Sequence, residues 1–197
     1  MRSLIYQNIL FYRFVMRTLY GQYFEERYAK TAALIENKAS VLDVCCGDAY
    51  IYFQYLGKKN VDYTGLDTCP PFIKKLKKDG LRVELCDILT TDLTSDYDIV
   101  LLMGSLYQFI PQHHLLIEKL FRLAKKRLIV VEAVKNIAGS SNRLIAKLAG
   151  IAVNPGTGSK TERFDVDRLR DVFRSYPRVS YETICHGRDV IVVVPKD

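Results

Sequence analysis

Apolar residues along the chain fall into two kinds of run. The stretches Val41–Val44, Val61–Asp67, Leu81–Cys86, Tyr97–Met103 and Leu128–Val134 are short and read as strands, the first with β-branched enrichment and the fourth as the continuous apolar run of a strand covered on both faces. Longer segments between them carry helix signals. Tyr50–Leu56 runs to a stop at Gly57, and Thr68 with Pro70 and Pro71 opens a lysine-rich helix that Gly80 ends. Pro111 opens a further helix reaching Lys126, residues 137–149 form another, and Asp165 caps a last one that ends at Tyr176 before Pro177. Val179–Cys185 and Val190–Val194 flank His186-Gly187-Arg188-Asp189, which is a hairpin signal. Strands alternating with helices, followed by a hairpin, predict a parallel α/β sheet with an antiparallel end.

The first 36 residues differ from this pattern. They predict two helical segments meeting near Gly21, and the first is apolar on nearly every side, from Leu4, Ile5 and Tyr6 to Leu19 and Tyr20. A helix of that kind has to be covered. The cover is either the body of the protein, with the helix as core or lid, or a membrane surface whose anionic headgroups meet Arg2, Arg13 and Arg17. The expected organisation is a helical extension over 1–36 on a single domain over 37–197.

Composition narrows the class. A chain of 197 residues with 49% hydrophobic content builds one sizeable core and is not disordered. No apolar run approaches the ~20 residues of a membrane span. Met1–Tyr6 resembles the start of a signal peptide, but Gln7, Asn8 and Arg13 interrupt it, so the expectation is mature sequence. Five cysteines, at 45, 46, 69, 86 and 185, show no metal-ligand spacing, and point to reduced thiols and a cytoplasmic location. The net charge of +7 is concentrated in Lys74–Lys78 and Lys125–Arg127. Both are expected near helix carboxyl ends, where cations favour the helix dipole. No interleaved aromatics suggest base stacking, so nucleic acid is the less favoured partner.

The chemistry concentrates at Val41-Leu-Asp-Val-Cys-Cys-Gly-Asp-Ala-Tyr50, a strand, a turn of small residues and the start of a helix. Ligands of open α/β sheets lie at such places, against helix amino termini. These residues resemble the first motif of the class I S-adenosylmethionine-dependent methyltransferases, which has an acid on the strand and glycines two, four and six residues beyond it. Asp43 matches the acid and Gly47 the middle glycine, while Cys45 and Ala49 take the outer places. Asp67, closing the second strand 24 residues after Asp43, has the two acceptor oxygens that suit a ribose diol. The resemblance implies that Asp87 bonds an adenine amino group with Ile88 packed on the ring. It also implies that Met103 and Gly104 end the fourth strand beside the reacting methyl group.

From about residue 30 onward the resemblance covers order as well as motifs. It implies a Rossmann-like, doubly wound, seven-stranded sheet of order 3-2-1-4-5-7-6 with the last strand antiparallel, and S-adenosylmethionine as cofactor. Methyl transfer from a sulfonium needs alignment and water exclusion more than covalent help, so a missing catalytic cluster is no objection. Tyr107 is the candidate for positioning an acceptor. His113 and His114 read as exposed or capping, and His186 as a solvated turn residue. No metal site is expected. The loop Asn154–Thr161 resembles a P-loop, but Ser159 separates Gly158 from Lys160, so a substrate-side loop is expected instead. Four functions compete: a small-molecule or lipid-like methyltransferase, an RNA methyltransferase, a non-catalytic cofactor-binding protein and a nicotinamide-dependent dehydrogenase. The last lacks the spacing G-x-G-x-x-G.

Overall fold

A computed structural model of the protein describes residues 9–94, 96–134 and 162–196. Two helices, α1 (Ile9–Tyr20) and α2 (Tyr23–Ala33), meet around Gly21 and lead into the first strand. Seven strands follow: β1 (Ser40–Val44), β2 (Asp62–Asp67), β3 (Val83–Leu85), β4 (Tyr97–Met103), β5 (Ala124–Ala133), β6 (Ser180–Ile184) and β7 (Asp189–Pro195). They form one sheet of order 3-2-1-4-5-7-6. Strands β1 to β5 pair in parallel, while β7 runs antiparallel to both β5 and β6. Topology and order are those expected from the sequence.

The period-two geometry of the strands divides the core into two layers. Leu42, Val44, Val100, Leu102, Leu128 and Val130 face α4 (His113–Leu123) and α5 (Val166–Val172). Val41, Ile99, Leu101, Ile129 and Val131 face α2, α3 (Pro70–Lys78) and the helical segment after β1. Each central strand is therefore apolar on both sides, which explains its unbroken hydrophobic run. Strand order reverses between β1 and β4, leaving a crevice at their carboxyl ends.

Several boundaries differ from expectation. The helix after β1 does not stop at Gly57. It widens into a π-helical turn at Tyr52–Leu56, tightens at Gly57–Lys59 and ends at Asn60, whose φ of +52° supplies the left-handed stop. Cys69, not Thr68, occupies the cap position of α3, and its amide donates to Asp67 Oδ1 at 2.8 Å. Helix α4 ends at Leu123, so Lys125-Lys126-Arg127 lies on β5 and not at a helix end. These cations alternate with the strand pleat and pair outward, Lys126 with Asp98 and Arg127 with Glu36. Helix α5 starts at Val166 with the Asp165 carboxylate accepting from the Arg168 amide, but ends at Val172. The predicted helix at 137–149 and loop at 154–161 lie outside the described residues.

Helix α1 is not covered all round. Val15, Leu19 and Tyr20 pack with Phe24 and Tyr50 into a small core of their own, whereas Leu10 and Phe14 are 71% and 64% exposed. No helix among the described residues is long and apolar enough to cross a membrane.

Candidate functional site

The turn after β1 shows how the sequence shapes the site. Cys45, Gly47 and Ala49 have φ of +57°, +56° and +50°. Alternate left-handed residues reverse the chain from strand to helix within five positions. Only Gly enters that region without penalty, and an L-residue there costs roughly 1–2 kcal/mol. The two residues replacing the outer glycines thus keep the glycine backbone and accept its strain. At Gly47 a β-carbon would lie 3.9 Å from the Tyr12 hydroxyl, so the Tyr12 side chain of α1 reaches over the turn.

Asp67 joins this turn to β2. Its Oδ2 accepts the Gly47 amide at 2.8 Å while its Oδ1 accepts the Cys69 amide, holding the carboxylate at the crevice between the two strand ends. Asp43 is buried and accepts the Tyr63 hydroxyl at 2.7 Å. Burial pushes its carboxyl up to about 7, with the neighbouring Asp67 and Asp48 adding to the rise and the Tyr63 bond opposing it. Asp87 is exposed beyond β3, where its Oδ1 accepts the Leu89 amide, and Ile88 beside it is buried. Met103 and Gly104 end β4 next to β1 and are half-buried. The residues singled out from the sequence therefore gather at the carboxyl ends of β1, β2, β3 and β4.

Asp48, one residue beyond Gly47, is 5% exposed, and its Oδ2 accepts from Arg13 Nε of α1 at 2.8 Å. The Arg13 guanidinium also lies 5.0 Å from the Tyr50 ring centre. Tyr12 packs edge-on against Phe72 of α3, with ring centres 5.3 Å apart. Helix α1 is thus fastened on both sides of the turn.

On the β5 side, Tyr107 is buried in a short 3-10 turn, Leu106–Phe109. Its amide donates to Glu132 Oε2 at 3.4 Å, and the Arg163 guanidinium lies 3.5 Å from its ring centre. Burial raises the Tyr107 phenol above its ordinary range against the opposing charge of Arg163, so the ring is neutral near pH 7 and is not a ready base. Glu132 is fully buried, and burial pushes its carboxyl up to about 7 while Arg163 and backbone amides oppose.

Glu132, Arg163, Arg27 and Tyr12 were not among the expected site residues. A carboxylate inside the apolar run Leu128–Val134 was the available signal for Glu132. For Arg27 it was position: Phe24, Arg27 and Thr31 share the buried stripe of α2. Nothing in the sequence separates Tyr12 from the other aromatics of α1. His113 also departs from expectation, being 8% exposed with its ring 5.3 Å from that of Phe164, whereas His114 is exposed. His186 is exposed and stacks on Tyr23 at 6.1 Å. Among the described residues, no group of three or more His, Cys, Asp or Glu side chains could hold a metal ion.

A protein-family profile described as a methyltransferase domain matches residues 16–188. No curated protein matches the sequence. Among solved structures, the methyltransferase in complex with the Haloferax volcanii Trm112 activator superposes with a TM-score of 0.68 at 16% identity, covering 99% of this chain and 98% of that one. Magnesium protoporphyrin IX methyltransferase from Synechocystis PCC 6803, with bound S-adenosylhomocysteine, gives 0.64 at 15% identity and 93% coverage of both chains. The plantazolicin methyltransferase BpumL, bound to a substrate analogue and S-adenosylhomocysteine, gives 0.64 at 13% identity, with 93% and 85% covered. At these identities the likeness is one of fold.

Two predictions follow from the turn. A carboxyl whose pKa is raised on folding stabilises the fold fully below its unfolded value, and that contribution is lost as pH rises through the folded value. Asp43, at about 7, should therefore cost stability as pH climbs from about 4 to about 7. Asp43→Asn, which can still accept from Tyr63, should flatten that fall in urea midpoints, and an unchanged slope would remove Asp43 as its source. Cys45→Gly and Ala49→Gly each exchange about 1 kcal/mol of strain for a lost side chain. Stability should stay within about 1 kcal/mol and cofactor affinity should hold or tighten, whereas a tenfold loss on calorimetry would mean the side chains themselves form the cradle.

Proposed function

Because this chain belongs to the methyltransferase-domain family, an S-adenosylmethionine-dependent enzyme class, we propose that it methylates a small-molecule acceptor over the carboxyl ends of β4 and β5. The observation that carries this reading is the Gly47–Asp67 hydrogen bond, which sets a carboxylate and a small-residue turn side by side at the crevice. The residues fit the cofactor by type. Asp67 offers acceptors for vicinal ribose hydroxyls, and Asp87 with Ile88 offers a polar and an apolar edge for adenine. Cys45 and Gly47 let a ligand approach the backbone, and Met103 and Gly104 border the adjoining strand end.

Bound S-adenosylmethionine supplies a methyl group already activated on a sulfonium. What remains for the protein is alignment and dryness. Tyr107, whose amide donates to Glu132 and whose ring lies against the Arg163 guanidinium, orients the acceptor with a neutral phenol and does not deprotonate it. Helix α1 acts as a lid: Tyr12 crosses above Gly47 and Arg13 latches to Asp48, so the cofactor enters when α1 swings about the Gly21 turn. An enclosed cofactor favours a small acceptor over an RNA duplex, which needs an open basic groove.

Labelled-methyl S-adenosylmethionine incubated with a cell extract tests the acceptor class. Label in a ribonuclease-resistant, low-mass fraction is expected. Label in RNA would replace the proposal with the nucleic-acid reading, and binding without transfer would leave a non-catalytic cofactor-binding protein. Asp67→Ala should weaken S-adenosylhomocysteine binding more than tenfold and lower the thermal midpoint by a few degrees, since the Gly47 and Cys69 amides lose their acceptor, and an unaltered calorimetric affinity would remove the ribose role. Arg13→Met should speed both association and dissociation of S-adenosylhomocysteine by roughly two- to fivefold, the scale of a partly exposed ion pair. Stopped-flow rates identical to those of the parent would show that α1 does not gate the site.

A further inference from the structure

Arg163 lies just before α5, between neighbours that are firmly held. Phe164 is 1% exposed with its ring 5.3 Å from that of His113, and Asp165 caps α5 by accepting the Arg168 amide at 2.8 Å. The half-buried Arg163 side chain reaches over Tyr107, with its guanidinium carbon 3.5 Å from the ring centre. An edge-on guanidinium at that separation would drive its nitrogens into the ring, so the group lies flat on the phenol. Its N–H donors lie in the guanidinium plane and are directed away from the stack.

No carboxylate takes those donors. Among the described residues Arg163 forms no ion pair, because the acids beside it are engaged elsewhere. Glu162 pairs with the Arg168 guanidinium at 2.7 Å, and Asp165 with the Arg168 amide. Glu132 feels the Arg163 charge, but its Oε1 accepts the Ala133 amide at 3.1 Å and its Oε2 the Tyr107 amide at 3.4 Å, with the Leu106 amide a further donor. Offsetting a buried carboxyl from beyond ion-pair distance requires only a positive charge, for which a lysine would serve. A guanidinium laid flat on an aromatic ring does more, since it keeps a planar fork of donors fixed in place.

Tyr107 follows β4, and Glu132 stands next to the last residue of β5, so the fork sits at the strand ends assigned to the acceptor. The rest of the crevice is acidic, with Asp48, Asp67 and Asp87 around the turn and the ends of β2 and β3. A doubly charged phosphate would be repelled by those groups with one guanidinium to offset them. A carboxylate carries a single charge and matches the fork with two parallel hydrogen bonds. Carboxylic acids are also ionised at neutral pH without help from the protein. We propose that the acceptor is a small carboxylic acid and that Arg163 receives its carboxylate, with Tyr107 as the platform beneath the guanidinium. This rests on the reading of these strand ends as a methyl-transfer site.

A deproteinised, low-mass cell extract split on an anion exchanger at pH 7 supplies the test, each pool being incubated with the protein and labelled-methyl S-adenosylmethionine. Label should enter the retained pool. Treating that pool with a water-soluble carbodiimide and excess ethanolamine, which turns carboxylates into amides, should lower its acceptor activity at least tenfold, while alkaline phosphatase should leave it unchanged. Label confined to the unretained pool, activity surviving amidation, or loss on phosphatase treatment would each overturn the carboxylate class and leave the methyltransferase reading standing. Label in neither pool would overturn that reading and this proposal with it. Arg163→Gln should raise the amount of retained pool needed for half-maximal rate at least tenfold, with S-adenosylhomocysteine affinity changed less than twofold. An unchanged half-saturation would overturn the role of Arg163. So would a return to within twofold of the parent in E132Q/R163Q, which would show that Arg163 only offsets Glu132. If Arg163→Gln does not melt cooperatively, Arg163→Lys, which keeps the charge and loses the fork, carries the test. Its half-saturation should rise at least threefold, and a smaller change overturns the proposal.

Discussion

The hydrogen bond from the Gly47 amide to Asp67 is the contact on which the site's architecture depends. It fixes how the turn after β1 and the end of β2 face one another. Beside it the Cys46 amide donates to the Leu66 carbonyl at 2.9 Å, a backbone bond that carries the strand pairing into the turn. Left-handed backbone at Cys45, Gly47 and Ala49 points the Gly47 amide sideways to make the bond, and the Cys69 amide holds the other carboxylate oxygen. Strain in the turn and charge at the strand end are therefore coupled. Neither has an evident use without the other.

The fold is legible because its signals are redundant. Each central strand is buried on both faces, so its β-branched run stands out whatever its exact ends, and acids at the ends of β2 and β3 mark where the run meets the crevice. Where the reading failed, the local signal was ambiguous. Lys125-Lys126-Arg127 suits the end of a helix as well as the exposed start of a strand, and pairing of Arg127 with Ile99 of β4 and Pro195 of β7 decides between them. Gly57 is the stronger stop signal in the sequence, yet Asn60 takes the left-handed stop, a conformation Asn adopts more readily than most residues other than Gly.

The site was legible to the same degree as its motif. Residues tied to strand ends are placed by their motif, and Gly47, Asp67 and Asp87 lie beyond or at the ends of β1, β2 and β3 as it implies. Those placed by tertiary contact carry no such motif, since Glu132 gains meaning from Arg163 and the 106–109 turn, and Tyr12 from lying over Gly47. Three buried carboxyls have a raised pKa, Asp43 and Asp48 at β1 and its turn and Glu132 on β5, and a buried group shifted by desolvation commonly marks a functional centre. The physical information was present in the sequence as charges inside apolar runs, but their partners could not be read from spacing.

Helix α2 and the β6–β7 hairpin are stitched together across nearly the whole chain. Lys30 pairs with Glu182, Glu26 accepts the Cys185 amide, and Tyr20 reaches Asp189, contacts separated by 152, 159 and 169 residues. Sequence separations of that size raise the contact order of the fold, which bears on its folding rate more than on its stability.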